Sequence, residues 1–220
     1  MPAISPYAAR SAQRAARDGP YEGTAASSLD EVAASLQLCR RCDLWRGATQ
    51  GVAGEGPARA RLMLVGEQPG DQEDLAGRPF VGPACGVLEK ALAAAGVPRE
   101  QTYVTNAVKH FKLEVRGQRR LHKTPAFGEV SACRWWLNAE RRLVRPRVIV
   151  ALGAAAALAV TGKPTAIAAT RGQALQLGGQ AQGVVTHHPA YLLRLPDAAA
   201  KREAFAAFVQ DLKFAWSLAG

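Results

Sequence analysis

The 220-residue chain has no apolar run close to the ~18–20 residues that a helix needs to cross a membrane. Its first 28 residues interleave Arg10, Arg14 and Arg17 with Ala and Ser, and they lack the continuous apolar segment of a secretory signal. Cysteine is also scarce, with four residues in the chain. We therefore expect a cytoplasmic protein whose thiols are reduced or bound to a metal rather than paired as disulfides.

Acidic residues are few as well: 18 Asp and Glu stand against 28 Lys and Arg, which gives a net charge of +10. This balance suits a polyanionic partner, above all nucleic acid, although composition alone is also compatible with an anionic membrane surface or with neither partner. The length indicates one domain and a tail. We assign residues 1–27 to a flexible basic arm and residues 28–220 to a single domain, which we expect to be monomeric.

No internal repeat is visible, and no Gly-x-Gly-x-x-Gly sequence follows a predicted strand, which argues against dinucleotide binding. Short hydrophobic runs predict strands at residues 62–67, 102–108, 147–152 and 183–186. Helical patterns separate these runs, and a last amphipathic helix is predicted at about residues 198–217. Because strands that alternate with helices pair in parallel, the sequence predicts a three-layer α/β/α sandwich.

The stretch at residues 66–86, GEQPGDQEDLAGRPFVGPACG, directly follows the first predicted strand. Its glycines and prolines predict a long structureless loop that can approach a ligand closely, and loops of this length are usually functional. It carries four carboxylates and one aromatic residue, which are Glu67, Asp71, Glu73, Asp74 and Phe80. An ordinary surface loop remains the alternative.

Two more short signatures lie where predicted strands end, TNAVK at residues 105–109 and HHPA at residues 187–190. Because the carboxyl ends of parallel strands meet at one edge of a sheet, we expect Glu67, Asn106 and His188 around one pocket, with Phe80 over it. An Asn amide matches the edge of a pyrimidine, and an aromatic ring can stack on the face of the base. A His beside a carbonyl oxygen can stabilise negative charge that develops there.

The pair Cys39 and Cys42 forms a Cys-x-x-Cys motif, which serves as a redox dithiol, a zinc site or an iron–sulfur site. Here the motif follows a predicted helix near the start of the chain, whereas a redox dithiol of the thioredoxin kind follows a strand. The metal alternatives are therefore favoured.

Four segments in this order, GEQPG, GRPFVG, TNAVK and HPA, resemble the uracil-DNA glycosylase superfamily and in particular its iron–sulfur family 4, over about residues 36–215. The resemblance implies a central four-stranded parallel sheet and a uracil flipped out of DNA into the pocket. It implies that Phe80 stacks on uracil, that Asn106 bonds its edge and that His188 supports its O2 atom. Backbone around Gln68, and Asp71, would complete the substrate-binding set.

Family 4 holds a [4Fe–4S] cluster with four Cys ligands. Three of these match Cys39, Cys42 and Cys133, and the third position of the pattern is occupied by His110. The resemblance therefore implies a cluster with three Cys ligands and one His ligand, and a structural zinc site is the alternative. Cys85 lies inside the active-site segment and is not expected to be a ligand.

An insertion at roughly residues 114–123 resembles the UdgX class of this family, whose members excise uracil and stay covalently attached to the abasic site through a loop His. The matching residue is His122, and Glu67 is the candidate that orients its ring and takes up its proton. The basic residues of the same loop are expected to bind DNA phosphates; they are Arg116, Arg119, Arg120 and Lys123.

Three functions are thus open. The first is a uracil-DNA glycosylase that ends covalently linked to DNA, with a preference for single strands because no base pair must be broken. The second is an ordinary multi-turnover uracil-DNA glycosylase. The third is a non-catalytic, metal-stabilised nucleic-acid-binding module without a preference for uracil. None of the three requires a membrane partner.

Overall fold

The computed structural model of the protein describes residues 26–179 and 181–220. The predicted basic arm at residues 1–27 therefore lies outside the described residues, except for its last two positions. Within the described ranges, no helix is long and apolar enough to span a membrane.

Seven strands are present in the described part of the chain. They are β1 (Leu62–Gly66), β2 (Thr102–Asn106), β3 (Leu113–Arg116), β4 (Arg119–His122), β5 (Val148–Leu152), β6 (Ala174–Gln176) and β7 (Gln182–Thr186). Five of them form the central sheet in the order β2-β1-β5-β7-β6. The first four in this order are parallel, and β6 is antiparallel to β7.

The helices cover both faces of this sheet. They are α1 (Leu29–Leu36), α2 (Asp71–Ala76), α3 (Pro83–Ala95), α4 (Phe127–Val144), α5 (Ala154–Thr161), α6 (Ile167–Thr170), α7 (Pro189–Arg194) and α8 (Ala198–Leu218). Side chains alternate along β1, so Met63 and Val65 pack with α1, α4 and α5, whereas Leu62 and Leu64 pack with α3 and α8. The predicted three-layer α/β/α sandwich is confirmed.

The predicted count of four strands in the sheet is wrong, because β6 adds a fifth at the edge. This strand has three residues and no hydrophobic run, so its pairing depends on the neighbouring β7 rather than on its own sequence pattern. The prediction of a structureless segment at residues 66–86 is also wrong, since it contains α2 and the first turn of α3.

The insertion at residues 114–123 is an antiparallel hairpin, β3–β4, rather than an irregular loop. Gly117, at the turn, has φ +58°, a conformation that glycine adopts without steric cost. The backbone N–H of Lys123 donates to the carbonyl of Lys112 at 2.9 Å, which closes the base of the hairpin.

Candidate active site

A cavity of about 530 Å³ lies at the carboxyl edge of the parallel sheet. Strands β1, β2 and β7 lead into it, and the hairpin reaches it through His122 at the end of β4. The cavity brings together five predicted site residues from four parts of the chain; they are Glu67, Phe80, Asn106, His122 and His188. Gln68 also contributes to the lining, and Asp71 is not among the lining residues.

The polar end of the cavity is formed where β1 and β2 end side by side. Gly66 pairs in register with Asn106, and the Asn106 side chain is almost fully buried. A Cβ atom at Gly66 would collide with the amide oxygen of Asn106 and would lie 2.8 Å from Cζ of Phe80. The absence of a side chain at Gly66 therefore lets an amide and an aromatic ring share one small space, which suits a flat heterocycle with a polar edge.

His188 is held in one tautomer by the backbone of its own helix. Its Nδ1 accepts the N–H of Ala190 at 3.2 Å, so the neutral ring carries its proton on Nε2. Burial, together with the charges of Arg194 and His122, lowers the pKa of His188 to about 4. The ring is thus neutral at physiological pH, lies 6.5 Å from the ring of Phe80, and offers Nε2–H as a donor.

His122 and Glu67 form the second polar group of the cavity. Nε2 of His122 lies 3.4 Å from Oε1 of Glu67, and the His122 side chain is half-exposed. Burial, and secondarily the charge of Arg194, lowers the pKa of His122, whereas burial raises the pKa of Glu67. The pair therefore places a neutral imidazole with a free lone pair beside a carboxylate that is more basic than usual.

The hairpin is attached to the body of the protein by Arg120. Its guanidinium pairs with Asp71 at 2.9 Å and with Asp74, which is fully buried, and it lies 5.3 Å from the ring of Phe111. The Asp74 carboxylate also accepts the backbone N–H of Thr49 at 3.0 Å. The two acidic residues on α2 therefore fix the position of β4 and, with it, the position of His122.

The side chain of Gln68 also attaches the hairpin, at its base. Its Nε2 donates to the carbonyl of Lys123 at 3.0 Å, and its Oε1 accepts the N–H of Lys112 at 3.1 Å. Both partners lie at the base of the hairpin. The amide side chain of Gln68 is consequently occupied by the hairpin, and its backbone is the part that remains available to a base.

The four basic residues predicted to bind phosphates have different surroundings. Arg116 pairs with Glu114 at 2.7 Å, and Lys123 pairs with the same carboxylate. Arg120 forms ion pairs with Asp71 and Asp74 of α2. Within the described residues, Arg119 has no ion pair and is exposed at the tip of the hairpin, so it is the one cation of the four without a carboxylate partner.

The sequence analysis did not predict two charged residues of the cavity, Glu73 and Arg194. In the sequence, Glu73 is one of four carboxylates in the segment 66–86, and nothing distinguishes it from the others. Arg194, at the end of α7, influences the pKa of Glu67, His122 and His188. Its position six residues after His188 on one short helix was the available signal.

Of the four predicted metal ligands, Cys39 and Cys42 both lie near enough to Cys133 to contribute to the rise in its pKa. Sγ of Cys133 accepts the N–H of Lys109 at 3.2 Å, and Sγ of Cys39 accepts the indole N–H of Trp136 at 3.1 Å. Burial raises the pKa of Cys42 to about 11, and Cys39 adds to this rise; burial and Cys42 raise the pKa of Cys133.

His110 completes this set. It is buried, and burial lowers its pKa, which keeps the imidazole neutral and able to act as a ligand. The charge of Arg40, which lies between the two cysteines of the Cys-x-x-Cys motif, also lowers the pKa of His110. Residues 26–179 and 181–220 nevertheless contain no group of three or more His, Cys, Asp or Glu side chains that could hold a metal ion.

A buried ion pair anchors the segment that links the two sites. Lys109 Nζ lies 2.6 Å from Oε2 of Glu140, and both side chains are fully buried. The N–H of Gly54 donates to the other oxygen of Glu140 at 2.8 Å. Because Lys109 lies between Asn106 and His110, this pair fixes the Asn106 amide and the metal-ligand candidate His110 on one segment.

The fold and the cavity define a class of protein: a parallel α/β/α domain with an amide, an aromatic ring and a neutral His that can receive a pyrimidine at its carboxyl edge. The family model of the uracil DNA glycosylase superfamily matches residues 53–213.

Curated relatives agree with this match. The chain is 38% identical over 167 residues to a type-4 uracil-DNA glycosylase of Thermotoga maritima, which covers 76% of this chain and 83% of that protein. It is 35% identical over 176 residues to a type-4 uracil-DNA glycosylase of Archaeoglobus fulgidus, with 77% and 85% covered, and 34% identical over 175 residues to one of Pyrobaculum aerophilum, with 76% and 86% covered. The chain belongs to the uracil-DNA glycosylase superfamily, in its type-4 family.

Proposed function

We propose that the protein excises uracil from DNA and then captures the resulting abasic site covalently through His122. The observation that carries this proposal is the pairing of His122 with Glu67, at 3.4 Å, in the same cavity as Asn106, Phe80 and His188. Membership of the type-4 family supports the excision step. The capture step is supported by the position, the neutral state and the carboxylate partner of His122.

Excision begins with a uracil flipped into the cavity, where Phe80 stacks on the ring and the Asn106 amide bonds its edge. The bond between C1′ of the sugar and N1 of uracil then breaks, and its electron pair leaves with the base. Nε2–H of His188 donates to O2 of the departing anion, and the negative phosphates stabilise the positive sugar. A neutral donor suits this role, because the pKa of His188 lies near 4 and the ring keeps this tautomer at physiological pH.

Capture follows at the electrophilic C1′ carbon. One nitrogen of the neutral His122 ring supplies its lone pair and forms a C–N bond in place of the bond that broke. The proton on the other ring nitrogen passes to the Glu67 carboxylate and from there to solvent, and the departed uracil anion takes a proton from water. The new bond has no good leaving group, so each protein molecule acts once.

The surrounding surface suits a DNA strand. The net charge is +10, and Arg119 at the tip of the hairpin is exposed and free to approach a phosphate. Single-stranded DNA is the preferred substrate because its uracil is already unpaired. We propose that the protein acts as a monomer, because no step of the proposed chemistry needs a second copy of the chain.

Cys39, Cys42, Cys133 and His110 are the residues that would hold a [4Fe–4S] cluster. N–H donors to Sγ of Cys39 and Cys133 fit thiolate ligands, and the neutral His110 fits the fourth position. Such a cluster would fix the segment after β2, and imidazole ligation would raise its reduction potential.

The proposal is tested with a labelled single-stranded oligonucleotide that carries one uracil. We expect a band shifted by the mass of the protein on a denaturing gel, and no such band with a thymine control. Strand scission at the uracil after alkali, without a shifted band, would identify an ordinary multi-turnover glycosylase in which Glu67 activates water. Binding without uracil release would identify a non-catalytic binding module.

Two variants then separate the roles of His122 and Glu67. His122→Gly should abolish the covalent band while uracil release continues, because water can enter the vacated space; a persistent covalent band would assign the nucleophile to another residue. Glu67→Gln should slow covalent capture more than it weakens DNA binding, and Glu89→Gln on the outer face of α3 is the matched control. Equal losses of capture and of DNA binding would remove Glu67 from the capture step.

A further inference from the structure

The carboxylate of Glu73 bridges the two ends of the segment that carries Phe80. Its Oε2 accepts the N–H of Gly70 at 3.1 Å, at the start of α2. Its Oε1 accepts the N–H groups of Val81 at 3.2 Å and Gly82 at 2.8 Å, immediately before α3. One side chain therefore satisfies three backbone donors that lie on both sides of Phe80.

Phe80 needs such support because its backbone is in an unfavourable conformation. Its φ angle is +53°, in the left-handed region that bulky residues rarely adopt. Restraint on the two residues that follow Phe80 holds this conformation in place. It aims the ring toward the cavity, where it lies beside Gly66 and 6.5 Å from the ring of His188.

The glycines around Glu73 show how closely the backbone encloses this carboxylate. A Cβ atom at Gly70 would lie 2.7 Å from Oε2 of Glu73, and one at Gly82 would lie 3.0 Å from Oε1. Side chains at these two positions would push the carboxylate out of place. The last glycine of GEQPG, Gly70, and the last glycine of GRPFVG, Gly82, are thus explained by the space that Glu73 requires.

We infer that Glu73 is a positioning residue that holds Phe80 in the geometry for stacking on the substrate base. Helix α2 then holds two parts of the site. Asp71 and Asp74 hold the hairpin that bears His122, and Glu73 holds the ring of Phe80, which orients the base. The separation between stacking ring and nucleophile is set by this one short helix. The assignment of the base as uracil rests on the proposed function, whereas the restraint on Phe80 does not.

Hydrogen–deuterium exchange tests the restraint without any need for activity. In Glu73→Ala, the amides of Val81 and Gly82 should exchange about tenfold faster or more, because their acceptor is gone. Glu73→Gln keeps one acceptor oxygen and should restore most of the protection. Glu89→Ala, which alters an exposed Glu of α3 outside the cavity, should leave these amides unchanged. Unchanged exchange in Glu73→Ala would overturn the inference.

Single-turnover uracil release at saturating DNA tests whether Glu73 acts through Phe80. Glu73→Ala should slow release about tenfold, with unchanged affinity for uracil-free DNA. The double variant Glu73→Ala/Phe80→Ala should be no slower than Phe80→Ala alone, because the ring that Glu73 positions is then absent. If the losses in release rate of the two single variants multiply in the double variant, the inference is overturned. If the unaltered protein releases no uracil, the proposed function fails and the exchange experiment still decides the role of Glu73.

Discussion

The imidazole of His122 and the carboxylate of Glu67 are each shifted toward the state that the capture step needs. Burial lowers the pKa of His122 and raises that of Glu67. A protonated imidazole has no lone pair to attack carbon, so the lowered pKa keeps His122 reactive at a pH where a free His is partly charged. The raised pKa of Glu67 makes it a better proton acceptor.

These pKa shifts predict how the rate of covalent capture falls at acid pH; this part of the pH profile is called the acid limb here. The reactive form of His122 is the deprotonated one, and its pKa lies below the ordinary value of 6.5. Between about pH 8 and about pH 5, the rate of covalent capture should therefore fall with a midpoint below pH 6.5. Rapid-quench measurement of adduct formation across this range checks the prediction. A loss centred at or above pH 6.5 would contradict the neutral state of His122.

Replacing Arg194 should change the pH at which the capture rate falls. The positive charge of Arg194 lowers the pKa values of His122 and Glu67, so Arg194→Gln should raise both and shift the acid limb of capture to higher pH. Arg202→Gln, on the exposed face of α8, serves as the control and should leave the limb in place. The same pH series measures both variants. An unshifted limb in Arg194→Gln would show that burial alone sets these pKa values.

At the residue scale, the sequence predicted the members of the cavity that follow strands. Glu67, Asn106 and His188 each come directly after a hydrophobic run, and the carboxyl ends of parallel strands must meet. Glu73 and Arg194 were not predictable in the same way. Their roles depend on which backbone groups and charges the fold brings near them, and no local pattern encodes that.

At the element scale, the hairpin β3–β4 positions His122 while making few hydrophobic contacts with the core. Val115 is 64% exposed and Leu121 is 36% exposed, so the hairpin depends on Arg120 and Gln68 for its attachment. The sequence did not predict this element because its strands are short and mostly polar. The pairing of Arg120 with Asp74 joins residues 46 positions apart, which only the fold reveals.

Releasing this attachment should impair capture selectively. Arg120→Gln removes the ion pairs with Asp71 and Asp74, and a displacement of His122 by about 1 Å is enough to lower the rate roughly 10- to 100-fold. DNA affinity should change much less. Arg116→Gln is the matched control, since Arg116 pairs only with Glu114 inside the hairpin.

Single-turnover capture rates and anisotropy titrations with uracil-free DNA provide the two readouts for Arg120→Gln. If Arg120→Gln loses affinity and rate in equal proportion, Arg120 is a DNA-binding residue, as the sequence first indicated. If Arg116→Gln lowers the capture rate as much as Arg120→Gln, the attachment to α2 is not what positions His122.

At the scale of the whole molecule, the metal-ligand candidates and the base pocket share one segment. Asn106 and His110 flank Lys109, whose ammonium is buried against Glu140. The sequence predicted the candidate ligands from the Cys-x-x-Cys spacing and the family resemblance. It did not predict the burial of Lys109, since a Lys in a basic stretch ordinarily faces solvent.

The ligand set predicts the behaviour of two cysteine variants. Cys133→Ala should lose bound iron and should lower the thermal unfolding temperature, because metal binding contributes directly to folding free energy. Cys85→Ala should retain the metal, since Cys85 lies on α3 outside the ligand set. Elemental analysis for iron and zinc, together with thermal unfolding, checks both. Zinc in place of iron would select the alternative metal, and loss of metal in Cys85→Ala would contradict the ligand set.

The closed base of the hairpin has an evolutionary consequence. Because the backbone of Lys123 bonds to that of Lys112 at 2.9 Å, the ten residues between them leave the domain and return to almost the same point. Their removal would need only a short connection and would leave the five-stranded sheet, Phe80, Asn106, His188 and the four ligand candidates in place. Under the proposed function, an ancestral glycosylase could thus exchange repeated turnover for permanent attachment through one small insertion, and a lineage could reverse the exchange by deleting it.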